Sequence, residues 1–270
     1  MAMKIENYEG TADRFTWPYN PLVFDDTSDM NIDVKPIPYS KTHIIHTKAG
    51  MDPKSIVLNG HLSGTSKRTN FNTLVKHVNE AKLKKLYFGS DRFYICVGKQ
   101  IKQTNSGGRT NFIDYVASFV SPIGQVFGDT QRSDTYNGAA WSDGTKTNEG
   151  PVETLIEKVV VTFDTTHGAG KTLIINDNSD NGITITLDAY VSTDVLTIYL
   201  VKLVELGSGI KSTKYWYCEQ EGSEVSKATT SGKNSMFVVL AADERIDTFS
   251  IGGTCSYSSL VIYWRDGYMG

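Results

Sequence analysis

Cysteine is scarce in this chain. The 270 residues hold three, Cys96, Cys218 and Cys255, far apart and without a CxxC pair. An odd, sparse set excludes a disulfide framework and a four-thiolate zinc site, and fits thiols in a protein made in a reducing compartment. Proline is also sparse, at seven, and four of the seven fall before residue 40. No apolar run approaches the roughly 18–20 residues of a membrane-spanning helix, so no membrane insertion is expected. A basic start followed by an apolar stretch and a small-residue cleavage site is missing, so no signal peptide is read. Charge of one sign does not dominate: 27 Lys/Arg face 30 Asp/Glu, a net charge of −3. That balance does not announce a nucleic-acid binder.

What is present is β-rich. Apolar residues make up 39% and aromatics 11%, beside many Val, Ile and Thr, with 24 glycines for tight turns. Such a mix suits pleated, half-buried surfaces. The charge is divided unevenly: residues 1–130 carry 16 Lys/Arg against 12 Asp/Glu, and residues 131–270 carry 11 against 18. The shift argues for two modules.

Residues 1–40 read as an extended arm, punctuated by Pro18, Pro21, Pro36 and Pro38. Its aromatics Phe15, Trp17, Tyr19 and Phe24 need burial, on their own domain or against a neighbouring subunit. The second choice makes them a candidate intersubunit contact. Residues 41–125 read as one β domain with a single helix. Residues 55–62 form a strand, and Phe71, Leu74, Val75 and Val78 give one helix face over 70–82, closed by Lys82, Lys84 and Lys85. Leu86–Gly89 and Arg92–Val97 flank a Gly-Ser-Asp turn, and Phe112–Val120 is a further strand. Residues 126–150, rich in Gly, Ser, Thr and Asn, read as a linker. From 151 to 270 strand follows strand, as in an antiparallel sandwich. Val195–Leu206 favours a strand through its β-branched residues, with a helix left open.

Candidate chemistry is thin. His167-Gly-Ala-Gly-Lys-Thr172 ends like a phosphate loop, but Thr165 stands where the motif needs glycine and Leu173-Ile-Ile reads as strand. A hairpin loop is the better reading. His43 and His46 on a strand would point apart, a poor start for a metal site. Asp177, Asp180, Asp243 and Glu244 sit in expected turns, where solvated carboxylates are ordinary. No catalytic, metal or cofactor residues are assigned, and no enzyme is expected. Trp216, flanked by Tyr215 and Tyr217, is a candidate sugar-stacking platform, and Trp141 another; the alternative is that these aromatics pack inside the sandwich.

The order of signals resembles a known family. Ile56-Val-Leu-Asn-Gly60, the helix from Asn70, Leu86-Tyr-Phe, Arg92–Val97 and Tyr115–Pro122 resemble the N-terminal ring domain of the distal tail (Dit-like) proteins of long-tailed phages. Asn148-Glu-Gly-Pro151, Leu173–Asn176, Gly182–Ile185, Met236–Leu240, Ile246–Ile251 and Leu260–Tyr268 resemble that family's galectin-like second domain. The resemblance implies a mainly β chain: a tail-tube-like sandwich or barrel with one helix, then a galectin-like antiparallel sandwich. It also implies a virion protein made in the host cytoplasm, forming a homohexameric ring at the tail tip. The ring would join the tail tube protein to the hub or tip protein, support a receptor-binding protein and let DNA pass as a transient passenger. Sugar binding does not carry over. A carbohydrate-binding module on a structural domain, or a tube or tube-completion component, are the competing readings.

Overall fold

A computed structural model describes residues 2–9, 13–25, 33–36, 43–46, 54–89, 91–104, 111–136, 149–150, 154–176, 182–205, 211–225, 227–229, 239–240 and 250–268. The chain is mainly β, with one helix among the described residues, and divides into two compact units, essentially Met1–Phe127 and Gly128–Met269.

Unit 1 contains β1 (Lys4–Asn7), β2 (Phe15–Thr16), β3 (Leu22–Asp25), β4 (Asp33–Pro36), β5 (His43–His46), β6 (Lys54–Ser63), α1 (Lys67–Asn79), β7 (Lys84–Tyr87), β8 (Arg92–Gln103), β9 (Phe112–Ser121) and β10 (Val126–Gly128). The main sheet runs β2-β1-β7-β8-β9-β6-β3, with β10 also against β8 and β4–β5 forming a separate hairpin. Adjacent strands along that path are antiparallel. Period-two alternation sets the faces. In β9, Ile113, Tyr115, Ala117 and Phe119 are buried while the residues between them are half-exposed. Helix α1 begins about a turn earlier than the apolar spacing predicts and lays Phe71, Leu74, His77 and Val78 into the core. It ends at Glu80, which is extended, so Lys82, Lys84 and Lys85 lie past the helix rather than in its last turn. The sheet meets the helix closely at Gly98, where a Cβ would stand 2.1 Å from the Val78 carbonyl oxygen.

The predicted arm is corrected here. β1 and β2 complete one end of the sheet and β3 the other, so most of residues 2–25 is integral to unit 1. Pro18 and Pro21 separate β2 from β3 instead of keeping a free segment extended. The predicted linker is corrected too: β10 and Arg132–Tyr136 fall inside it, and the compact units meet in sequence at Phe127 and Gly128.

Unit 2 contains β11 (Arg132–Tyr136), β12 (Thr154–Phe163), β13 (Thr172–Asn176), β14 (Gly182–Thr186), β15 (Val195–Glu205), β16 (Lys211–Gln220), β17 (Ser223–Glu224), β18 (Lys227–Thr229), β19 (Val239–Leu240), β20 (Ser250–Gly253), β21 (Tyr257–Trp264) and β22 (Gly267–Tyr268). One sheet is ordered β11-β21-β12-β15-β16-β17, with β19 also on β12; a four-stranded sheet is ordered β18-β14-β13-β20. Val159, Val161, Phe163, Leu196, Ile198, Leu260, Ile262 and Trp264 bury one face of the first sheet, and Leu173, Ile175 and Ile185 that of the second. Two sheets with one apolar face each match the predicted antiparallel sandwich. The ambiguous stretch from Val195 is strand.

Candidate functional site

The arm aromatics divide. Phe15 and Trp17 are buried, edge to face with centroids 5.1 Å apart. The Trp17 indole Nε1 donates to the Tyr115 hydroxyl at 2.6 Å, and burial pushes that phenol up to about 12. The intersubunit reading of Phe15 and Trp17 is therefore corrected: β2 and the residue after it carry them into the core of unit 1. Tyr19 differs. It is 57% exposed and stacks on His61, and Leu22 and Val23 beside it are 67% and 40% exposed. These are three of the four large apolar side chains found exposed among the described residues. Leu22 and Val23 lie on β3, the last strand in its sheet order. Among the described residues no strand pairs with its outer side. Phe24 faces Val57 in the register, and its side chain lies outside the described residues.

The sugar platform fares less well. Tyr217 is buried, its ring 6.5 Å from that of Tyr199. Lys202 Nζ sits 5.3 Å and Lys214 Nζ 5.5 Å from its centroid, and each cation is paired in turn, with Glu219 and Glu224. A ring so enclosed offers no face to a sugar, which corrects that expectation for Tyr217. The side chains of Tyr215 and Trp216, together with Trp141, Asp177, Asp180, Asp243 and Glu244, lie outside the described residues.

Two stretches quoted for the family resemblance, around Gly150 and Arg265, are brought together in unit 2. Arg265 is buried and pairs with buried Glu157 at 3.0 Å, and it also donates to the carbonyls of Gly128, at 3.2 Å, and Asp129. Gln131 Nε2 donates to the same Glu157 oxygen at 2.7 Å, and Thr154 Oγ1 donates to the Arg265 carbonyl at 2.6 Å. Asp266 accepts from Arg132 at 2.9 Å and from the Glu149 backbone N–H at 3.0 Å. The Asp266 and Glu149 carboxylates raise the Arg132 guanidinium above its ordinary value. At Gly150 a Cβ would stand 2.1 Å from the Gly267 carbonyl oxygen, so glycine is required there. Satisfied charges tied to backbone on several elements act as a clasp that fixes strand ends.

A second polar cluster lies in unit 1. Buried Glu6 accepts from the Tyr87 hydroxyl and from Arg14 Nε, both at 2.8 Å. Fully buried Lys84 reaches Asn7 and Glu80, both at 2.6 Å. Hydrogen bonds from Lys82 and Lys84 hold the Glu80 carboxyl down at about 2. No motif announced this cluster. In sequence Lys84 is one of a run of lysines, and only the strand period places it inside and Lys85 outside.

The loop at His167 is bridged to Tyr190, and β13 follows it at once, so no helix N-terminus is present to hold a phosphate. His43 and His46 lie on β5, their side chains outside the described residues. Burial raises the thiols of Cys96 and Cys255, the latter to about 11. No helix among the described residues is long and apolar enough to cross a membrane.

Comparison with known proteins gives no matching family model and no matching curated protein. Solved structures with similar chain paths include a phage hub protein and phage baseplate chains. One is the SPP1 Dit protein, described as a paradigm of the hub adsorption apparatus in phages infecting Gram-positive hosts, at 10% identity over 100% of both chains and TM-score 0.47. Another is a chain of the phage P2 baseplate in its activated conformation with Ca, at 11% identity over 100% of this chain and 98% of that one, TM-score 0.40. A third, from the p2 baseplate with Sr, has 10% identity, 97% coverage of each chain and TM-score 0.43.

Proposed function

We propose that this chain is a structural virion protein of the distal tail type, forming a homohexameric ring at the tail tip between the tail tube protein and the hub or tip protein. It acts as a building block and not as an enzyme. The sequence resemblance supplies the family, and the observation that supports assembly is the β3 edge. An edge strand that no strand among the described residues pairs, with exposed Tyr19, Leu22 and Val23, is a liability in an isolated chain and an asset in a closed assembly. Pairing such edges around a rotation axis closes a ring. DNA would pass through the lumen, and unit 2 would be the galectin-like domain that supports the receptor-binding parts.

Electron microscopy of tail tips, combined with native mass spectrometry of the purified chain, tests the reading. Six copies in a ring at the tip are expected. A monomer or trimer in the virion would overturn it; a monomer in dilute solution would not, because assembly depends on concentration and neighbours.

A further inference from the structure

Lys84 in β7 has a side chain with no solvent exposure. Asn7 is its partner in the register of β1 and β7, so both side chains leave the same face of the sheet. Lys84 Nζ donates to Asn7 Oδ1 at 2.6 Å and to Glu80 Oε2 at 2.6 Å. A carbonyl bond is about 1.2 Å long. The amine therefore lies within about 3.8 Å of the Asn7 carboxamide carbon, close to the 3–3.5 Å of a near-attack arrangement. A buried amine in hydrogen-bond contact with a half-buried carboxamide and a half-buried carboxylate brings together the components of a condensation. A buried ion pair alone stabilises weakly and needs no carboxamide.

We propose that Lys84 and Asn7 become joined by an isopeptide bond, with Glu80 as the proton carrier. Glu80 takes a proton from the Lys84 ammonium, and the freed Nζ lone pair attacks Asn7 Cγ. The Nζ–Cγ bond forms and the Cγ–Nδ2 bond breaks. Two protons leave Nζ in all. The departing amide nitrogen takes both, one through Glu80, and leaves as ammonium. One proton stays on the new amide, charge is conserved, and no oxidant or reductant is needed. The product ties β1 to β7 between residues 77 apart in sequence, which restricts the unfolded chain as a disulfide does. Lys82 pairs with the other oxygen of Glu80 and weakens it as a base, so the bond forms slowly after folding. This inference is independent of the tail-tip reading.

The test uses the full chain, purified folded and held at neutral pH. The expected intact mass is one ammonia below the sequence mass. A denatured tryptic digest should show no cleavage after Lys84 and a branched peptide containing Asn7. Glu80→Gln should run at full mass while melting cooperatively. Lys84→Arg, which keeps the cation but cannot form the bond, should also run at full mass should Glu80→Gln not fold. Lys82→Ala should accelerate the mass loss. Full mass in the folded native chain overturns the proposal. So does loss of ammonia without a branched peptide, which would mean cyclisation at Asn7. A Glu80→Gln chain that cross-links as fast as the native one overturns the role given to Glu80.

Discussion

Trp17 and Tyr115 meet across 98 residues of sequence, the indole N–H donating to the phenol oxygen at 2.6 Å inside unit 1. The segment that enters the domain first is thereby fastened to a central strand. Trp17→Ala should cost about 3–5 kcal/mol, as truncation of a fully buried aromatic does. Denaturant unfolding followed by a probe in unit 1 checks this. Deleting residues 1–24 should prevent unit 1 from folding rather than release a folded monomer, because β1 and β2 are strands of its sheet.

Tyr19, Leu22 and Val23 should behave in the opposite way. Replacing all three with Ser is expected to change the stability of the isolated chain little, each exposed site contributing within about 0.5 kcal/mol. Ring formation should fall sharply. Native mass spectrometry beside a melting curve separates the outcomes, and loss of stability with assembly intact would remove the β3 edge from the interface.

Gly98 and Gly168 form a matched pair. A Cβ at Gly98 would meet the Val78 backbone, whereas at Gly168 nothing among the described residues lies within 4 Å. Gly98→Ala should destabilise by at least the roughly 1–3 kcal/mol typical of overpacking, because the clash is with backbone. Gly168→Ala should be nearly neutral. Equal melting temperatures for the two variants would contradict the close approach of α1 to β8.

Arg265 and Glu157 should be far more sensitive than surface charges. Glu157→Ala leaves the Arg265 guanidinium buried without its carboxylate, and removing one member of a buried pair costs about 3–5 kcal/mol. Arg132→Ala, at the more exposed end of the clasp, should cost less. Calorimetry of unit 2 unfolding in the two variants gives the order.

Much of this was legible in the sequence because period decides it. The alternation through Val159, Val161 and Phe163, and the i, i+3, i+4, i+7 spacing from Phe71, each name one buried face. The arm was not legible. Proline and aromatic content describe a segment that is extended and must be buried, but not which sheet accepts it. A two-residue strand such as β2 carries no period. The clasp is half legible, since the residues around Gly150 and Arg265 carry the family resemblance, while a single Glu157 inside a strand carries no signal. Lys84 reads as a helix-end cation, because a run of lysines looks solvated until the strand register sends one of them inward.

His77 gives unit 1 a specific response to acid. The imidazole is 1% exposed, and its Nδ1 has no hydrogen-bond partner among the described residues. Burial lowers its pKa below the ordinary 6.5, and the Lys84 ammonium adds to the shift as long as Lys84 is not joined to Asn7; Glu80 and Asp13 oppose the shift and Lys76 adds to it. The unfolded chain therefore binds a proton at His77 at a pH where the folded chain does not. Its contribution to stability is complete above pH 6.5 and declines as pH falls below 6.5 toward the folded value. Glu80 adds a separate loss at lower pH, beginning near its ordinary 4.5 and ending near 2, where its folded carboxyl finally takes a proton. Unit 1 should thus lose stability between pH 6.5 and 5, before Glu80 contributes. His77→Leu should flatten that part of the curve while leaving the loss below pH 4.5 in place. Denaturant midpoints of the native chain and the variant, measured across pH 4 to 8, decide the matter, and an unchanged slope above pH 5 in His77→Leu would show that another group carries the response.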